Sequence, residues 1–399
     1  MIDRKGAITR PAEVSASLGA LHSHGRSGGA SAAPAASAVP AAPAAPRPAG
    51  WPAWWPAGWR RRHATAARRL NLALQGGGAH GAFTWGVLDA LAADPRIALD
   101  GLSGSSAGAM NAVVFADGWM KGAREGARQA LADFWAFVGG QMHGGMVTQG
   151  KDDAISLSAA SKWLTTWAGY YSPTQLNPLD LNPLRDWLDR HVDFEQLRSR
   201  SPFKLFVGAT QANSGKLRVF REHELTLDML LASACLPKLH RPVVIGAQPY
   251  WDGGYCANPA VFPLCHACAS RDVLLVLLNP LQREATPSTV QEIDTRILEL
   301  AFSASFMREM RMFAMAAQLA RPALLTIGGL ERRLQSMRFH MIDSSRVAGL
   351  QRTETQLLAY GPFLEMLRGQ GHERACAWLA KEFDCVGRRS SIDLQQWAD

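Results

Sequence analysis

No stretch of this chain approaches the ~18 consecutive apolar residues of a membrane-spanning helix. The opening residues, MIDRKGAITR, are charged and lack the apolar run of roughly 7–15 residues that a secretory signal needs. Cysteine is sparse: six in 399 residues, at irregular positions, which is no disulfide framework. Together these shortages lead us to expect a cytoplasmic protein with free thiols, with a peripheral membrane contact left open. Cys265 and Cys268 form a lone C-x-x-C. A structural role is expected for it, because no second pair offers a metal its remaining ligands.

Charge is scarce as well, at 19% of residues against 47% hydrophobic, and it is unevenly placed. Residues 1–69 hold ten Lys and Arg against Asp3 and Glu13, a local +8 that equals the net charge of the whole chain. From residue 70 onward the charges cancel, so a nucleic-acid-binding body is not implied. Residues 1 to about 50 are mostly Ala, Pro, Ser and Gly, which cannot bury enough apolar surface to offset the entropy of ordering. The expectation is a disordered basic tail over 1–68. It ends in WPAWWPAGWRRRH, where Trp51, Trp54, Trp55 and Trp59 adjoin Arg60, Arg61 and Arg62. Such a segment suits a membrane interface or an anionic surface; a linker that folds back on the body is the alternative, since Pro52 and Pro56 break any amphipathic helix.

Regular structure is expected from Leu70. LNLALQ reads as a strand stopped by Gly76-Gly77-Gly78, and Phe83, Val87, Leu88 and Leu91 then recur at helical spacing. IALDGLSG leads through Ser105-Ser106 into AGAMNAVVFA, a second strand, turn and helix. Two such units in succession predict an α/β fold with a mostly parallel central sheet flanked by helices. KLFVGATQ at 204–211 and DVLLVLLN at 272–279 read as further buried strands. Thr286-Pro287 is a good cap for a long helix carrying Ile293, Ile297 and Leu300. The methionines that follow (Met307, Met310, Met312, Met315) suit core filling better than a lipid groove. Residues 117–200 read as a mobile insertion over the sheet.

Gly104-Ser105-Ser106-Ala107-Gly108 is a G-x-S-x-G between a strand and a helix. A sharp elbow there would strain Ser106 and expose its hydroxyl, while the helix N-terminus supplies positive potential for a developing oxyanion. Three successive glycines after the first strand present backbone N–H groups without side chains in the way, as an oxyanion hole requires. Gly76-x-Gly78-x-x-Gly81 followed by Asp100 also matches a dinucleotide fingerprint, although the next strand runs straight into the elbow serine. Asp252-Gly253-Gly254 closes an extended apolar stretch. A turn is the plain reading; a base for Ser106 is the functional one, and it demands a partly dry site to lift a carboxyl above its usual pKa near 3.9.

The order GGGAHG, GSSAG, DGG resembles the patatin family of lipid acyl hydrolases over most of residues 70–260. The segment LLASACLPKLHRPV and the Asn258-Pro259 pair after DGG are similar to that family too. The resemblance implies a Ser-Asp dyad with Ser106 as nucleophile and Asp252 as base. It implies Gly76, Gly77 and Gly78 as oxyanion donors, an acyl-lipid substrate at a membrane or lipid surface, no nucleic-acid partner, and neither cofactor nor metal. His80 stands where the family commonly has Arg or Lys. It is either a titratable auxiliary to the oxyanion loop or a packing residue. The domain expectation is a catalytic domain over 69–280 and a mostly helical extension over 281–399 packed on it. Two rivals are an α/β-hydrolase triad completed by His266, His340 or His372, and a non-catalytic nucleotide-binding module.

Overall fold

The protein is built on a sheet in the order β10 (Arg338–Ile342), β9 (Asp272–Val276), β1 (Arg68–Leu74), β2 (Ile97–Gly104), β5 (Lys204–Gln211), β8 (Gln248–Asp252) and β7 (Val243–Ile245), with β6 (Leu217–Arg221) on a branch beside β5; β3 (Val147–Gln149) and β4 (Ile155–Leu157) form a separate antiparallel pair. The computed structural model describes residues 67–149, 155–161, 163, 171–283, 286–319, 328–344, 347–350 and 353–398. The tail expected over 1–68 and its tryptophans lie outside them, except that Ala67 and Arg68 are described and Arg68 already belongs to the first strand. Residues 63–399 form one compact unit.

The first two units follow the sequence closely. Strand β1 (Arg68–Leu74) leads through the glycine loop to helix α1 (Gly81–Ala93), and β2 (Ile97–Gly104) leads through the serine elbow to α2 (Ala107–Gly139). Strand β5 (Lys204–Gln211), β9 (Asp272–Val276) and β10 (Arg338–Ile342) run parallel to them. Alternation sorts the strand side chains. Leu72 and Leu74 of β1 and Leu274 and Val276 of β9 join the larger core. Ala73, Val273 and Leu275 join a second core on the other face, under Phe306 and Met310. A sheet with both faces buried needs near-continuous apolar strands, which is what LNLALQ and DVLLVLLN supply.

Four expectations need correction. Residues 117–200 are not a loose insertion: α2 continues past a break at Gly122-Ala123, and Leu131, Phe134, Trp135, Trp187 and Leu188 are core residues. The long helix begins at Val290 rather than after Thr286-Pro287. Thr289 caps it instead, its hydroxyl accepting from Glu292 N–H (3.3 Å) while the Glu292 carboxylate accepts from Thr289 N–H (3.0 Å). The segment beyond 280 does more than pack on the sheet, since β10 pairs with β9 inside it. The methionines divide: Met310 is buried, whereas Met312 and Met315 are exposed. No described helix is long and apolar enough to cross a membrane.

The topology explains how Asp252 reaches the serine. Antiparallel β6 (Leu217–Arg221) pairs with Phe206 through Thr210 and fills one edge of β5. The other edge is shared. There β2 pairs with residues 204–207 and stops at Gly104, while β8 (Gln248–Asp252) pairs with residues 209–211 and stops at Asp252. Two strands thus approach end to end along β5, and their tips bring the elbow and the aspartate together.

Candidate active site

Ser106 sits at the tip of β2 with φ 54° and ψ −129°, a left-handed backbone that a non-glycine residue adopts only when its surroundings hold it there. What holds it is visible. Its N–H donates to the Ser233 carbonyl (3.0 Å) and hydroxyl (3.1 Å), at the end of α3 (Leu227–Ser233). The flanking residues must be glycine. A Cβ on Gly104 would fall 2.5 Å from the Gly108 backbone, and one on Gly108 would fall 2.2 Å from the Leu74 carbonyl oxygen.

Gly76 packs equally tightly on the elbow, for a Cβ there would meet the Ser105 carbonyl oxygen at 2.5 Å and Ser106 Cβ at 2.7 Å. Its N–H donates to Asn258 Oδ1 (2.7 Å). This corrects the reading of all three glycines as oxyanion donors, because that N–H is already committed. The N–H groups of Gly77 and Gly78 donate to no described residue, and both glycines line a cavity of about 60 Å³ with Ser106, Asp252 and Asn258. Gly78 has φ +56°.

Asp252 is fully buried. Its Oδ1 accepts from Gly254 N–H (2.7 Å), and its backbone N–H donates to the Cys235 carbonyl (2.8 Å). Burial pushes the carboxyl up to about 6, against opposing pulls from Gly254 N–H and the Ser106 hydroxyl. Oδ2 has no partner at full hydrogen-bond geometry, so the serine contact is close enough to matter electrostatically without being a formed bond. The dry environment that a carboxylate base requires is therefore present.

His80 is not a charged auxiliary. It is buried, its Nε2 lies 2.7 Å from Thr355 Oγ1, and burial pushes its pKa down to about 3. The ring is neutral at any working pH and serves to pack and bond the loop. Of the histidines offered for a triad, His340 pairs with Asp272 (3.1 Å) on β10, at the far edge of the sheet. His266 and His372 do not line the cavity either. Asp100 accepts from Ser270 N–H (2.6 Å), four residues short of the carboxyl end of β2, away from the glycine loop. Cys265 and Cys268 are buried in the second core, and no described cluster of His, Cys, Asp and Glu could hold a metal.

Two contributions were missed. Asn258 clasps the loop from below, accepting at Oδ1 from Gly76 N–H and donating from Nδ2 to the Gly76 carbonyl (3.4 Å). Its position four residues after the DGG turn was the available signal. The cavity roof comes from helix α4 (Val290–Leu319), through Leu298, Glu299 and Phe302. The Phe302 ring lies tilted against Tyr255, with centroids 4.5 Å apart and planes at 42°, and covers Gly254. Nothing in the sequence of the extension pointed there.

Among solved structures, the chain is similar to VipD from Legionella pneumophila, at 14% identity and a TM-score of 0.31, covering 76% of this chain and 67% of that one. Comparison with curated proteins gave no match. The family model of patatin-like phospholipase matches residues 72–264, the span from the first strand to just past the aspartate loop, and over that span the chain is similar to the patatin-like phospholipases.

Proposed function

We propose that the protein cleaves acyl esters of lipids with a Ser106-Asp252 dyad. The observation that carries this reading is one small dry cavity holding a strained serine, a carboxylate whose pKa is raised to about 6, and two uncommitted backbone N–H groups. Ser106 Oγ attacks the acyl carbonyl as its proton passes to Asp252. The oxyanion lies against the N–H groups of Gly77 and Gly78. When the tetrahedral intermediate collapses, the carbon–oxygen ester bond breaks and the leaving alcohol takes the proton from Asp252. Water then attacks the acyl carbon as it gives a proton to the same carboxylate, the acyl–Oγ bond breaks, Ser106 Oγ takes that proton back from Asp252, and the acid leaves. Labelling the full chain with a fluorophosphonate and mapping the adduct by mass tests nucleophile and reaction class together. The adduct should sit on Ser106; labelling elsewhere, or none, rejects the dyad.

The base must be ionised, so kcat/KM for a soluble nitrophenyl ester should fall about tenfold per pH unit below a midpoint near pH 6. His80, neutral above about pH 3, should add no further step between pH 5 and 9. A rate that is flat through pH 6 in the buffered profile would argue against Asp252 as base.

Contact with a lipid surface is part of this reading. Deleting residues 1–66 should leave hydrolysis of soluble esters intact and weaken co-sedimentation with anionic vesicles at low salt. Each basic residue near such a surface contributes ~1 kcal/mol, screened within a Debye length. Equal sedimentation of full-length and truncated protein would leave the tail a mere linker.

A further inference from the structure

Helix α4 is amphipathic in an unusual sense. Its inner stripe, Phe306, Met310 and Phe313, is buried against the sheet. Its outer stripe is also apolar. Val290, Ile293, Ile297 and Leu300 follow at i+3 and i+4 spacing on one face, and they are 77%, 41%, 60% and 49% exposed. Continuing along that same face, Arg308 and Arg311 are exposed and make no ion pair among the described residues. Exposed Asp294, i+4 from Val290 and i+3 before Ile297, lies on this face near its N-terminal end, so that the uninterrupted apolar part runs over Ile297 and Leu300. A stripe that meets water along two turns and then offers two free guanidinium groups is the pattern of a helix lying in a bilayer interface, its apolar face among the acyl chains and its arginines at the phosphates.

The placement is as informative as the pattern. Leu298, Glu299 and Phe302, on the inner side of the same turns, roof the cavity that holds Ser106. Glu299 is tied to Arg283 (2.5 Å) and Arg296 (3.0 Å), which holds this turn over a cavity of about 60 Å³. That is space for one or two waters and not for an acyl chain. A bilayer seated on the outer face would therefore lie against a helix that lines the serine's own cavity.

We propose that the outer face of α4, from Val290 to Arg311, is the surface by which this protein docks on a phospholipid bilayer. The proposal rests on the lipid-hydrolase reading for its occupant and is independent of the basic tail, because its apolar half acts on uncharged as well as anionic membranes.

The test uses the full chain with Ser106→Ala, so that vesicles are not consumed. Partitioning is measured by flotation with vesicles of phosphatidylcholine alone and of phosphatidylcholine mixed with phosphatidylglycerol. Ile297→Gln with Leu300→Gln should lower partitioning at least about tenfold on both. Arg308→Gln with Arg311→Gln should lower it about 25-fold on the mixed vesicles only, near fivefold per arginine. With Ser106 restored, all four substitutions should leave soluble ester turnover and Tm unchanged, since none of these side chains lines the cavity. Unchanged flotation of the apolar double variant overturns the proposal. So does a drop in its native mass with flotation unaltered, which would make the face a contact between two copies. Flotation does not depend on turnover, so a wild-type chain that floats normally but hydrolyses no ester would refute the dyad and leave the docking surface standing.

Discussion

Ser106→Ala should lower kcat/KM for a nitrophenyl ester by at least about a thousandfold, and Asp252→Asn by a similar factor, with their double variant scarcely worse than either. Residues that act as a unit are not additive, because removing one member leaves only substrate binding and the oxyanion loop. The two substitutions should differ in stability. Ser106→Ala removes one hydroxyl at a half-buried position and leaves Tm nearly unchanged. Asp252 is another matter, because its carboxyl is raised to about 6 in the fold by burial. The folded protein holds that proton more tightly than the unfolded chain does. Its contribution to stability is thus complete below about pH 4 and is lost as pH rises through about 6. At pH 7 the native state carries a buried anion whose ionisation costs on the order of 2–3 kcal/mol. An asparagine still accepts from Gly254 N–H without that cost, so Asp252→Asn should melt at or above the wild-type temperature at pH 7 and lose the advantage near pH 4. Thermal melts at the two pH values check this. Substantial turnover in either variant would sink the dyad, and a lower Tm for Asp252→Asn at neutral pH would mean the carboxylate is a structural anchor.

What could be read from the sequence was local. The glycine loop and the elbow each lie within a few residues of a strand end, so composition and period alone place them at the carboxyl edge of a parallel sheet. Their partners were long-range. Asp252 meets Ser106 because β2 and β8 share one edge of β5, a register that no motif encodes. Asn258 could be seen beside DGG, but its grip on Gly76 spans 182 residues of chain. Helix α4 showed its outer stripe in the spacing of Ile293, Ile297 and Leu300, yet periodicity does not say which of two apolar stripes faces the core. His80 was read as a possible charge because it stands where the resembling family commonly has Arg or Lys. The burial that holds it neutral comes largely from elements far along the chain, with Thr355 as its bonded partner.

Gly76→Ala should cost kcat a factor on the order of 100 to 1,000 with little change in KM, although Gly76 donates nothing to the oxyanion. Its N–H belongs to Asn258, and its role is to let the loop lie directly on the elbow. A methyl group there arrives 2.5 Å from the Ser105 carbonyl oxygen and 2.7 Å from Ser106 Cβ. Neither can rotate away, since one is backbone and the other belongs to a residue already held at φ 54°. Loop and elbow must separate, which moves the Gly77 and Gly78 N–H groups out of line with the serine. Misaligned donors are lost mainly to the transition state, and one lost donor costs about 3–4 kcal/mol. The same overpacking should destabilise the fold by about 1–3 kcal/mol. Gly77→Ala is the control. Its Cβ would meet only Leu278 Cδ1 at 3.2 Å and His80 Cβ at 3.5 Å, contacts on the side away from Ser106, and a leucine methyl can give. Its kcat should fall less than about tenfold, a deficit too small for a lost oxyanion donor. Steady-state kinetics of the two variants decide the matter. Equal losses would show that steric access to the loop governs the rate and not its seating on the elbow, and a KM effect confined to Gly76→Ala would place the loop in substrate binding instead.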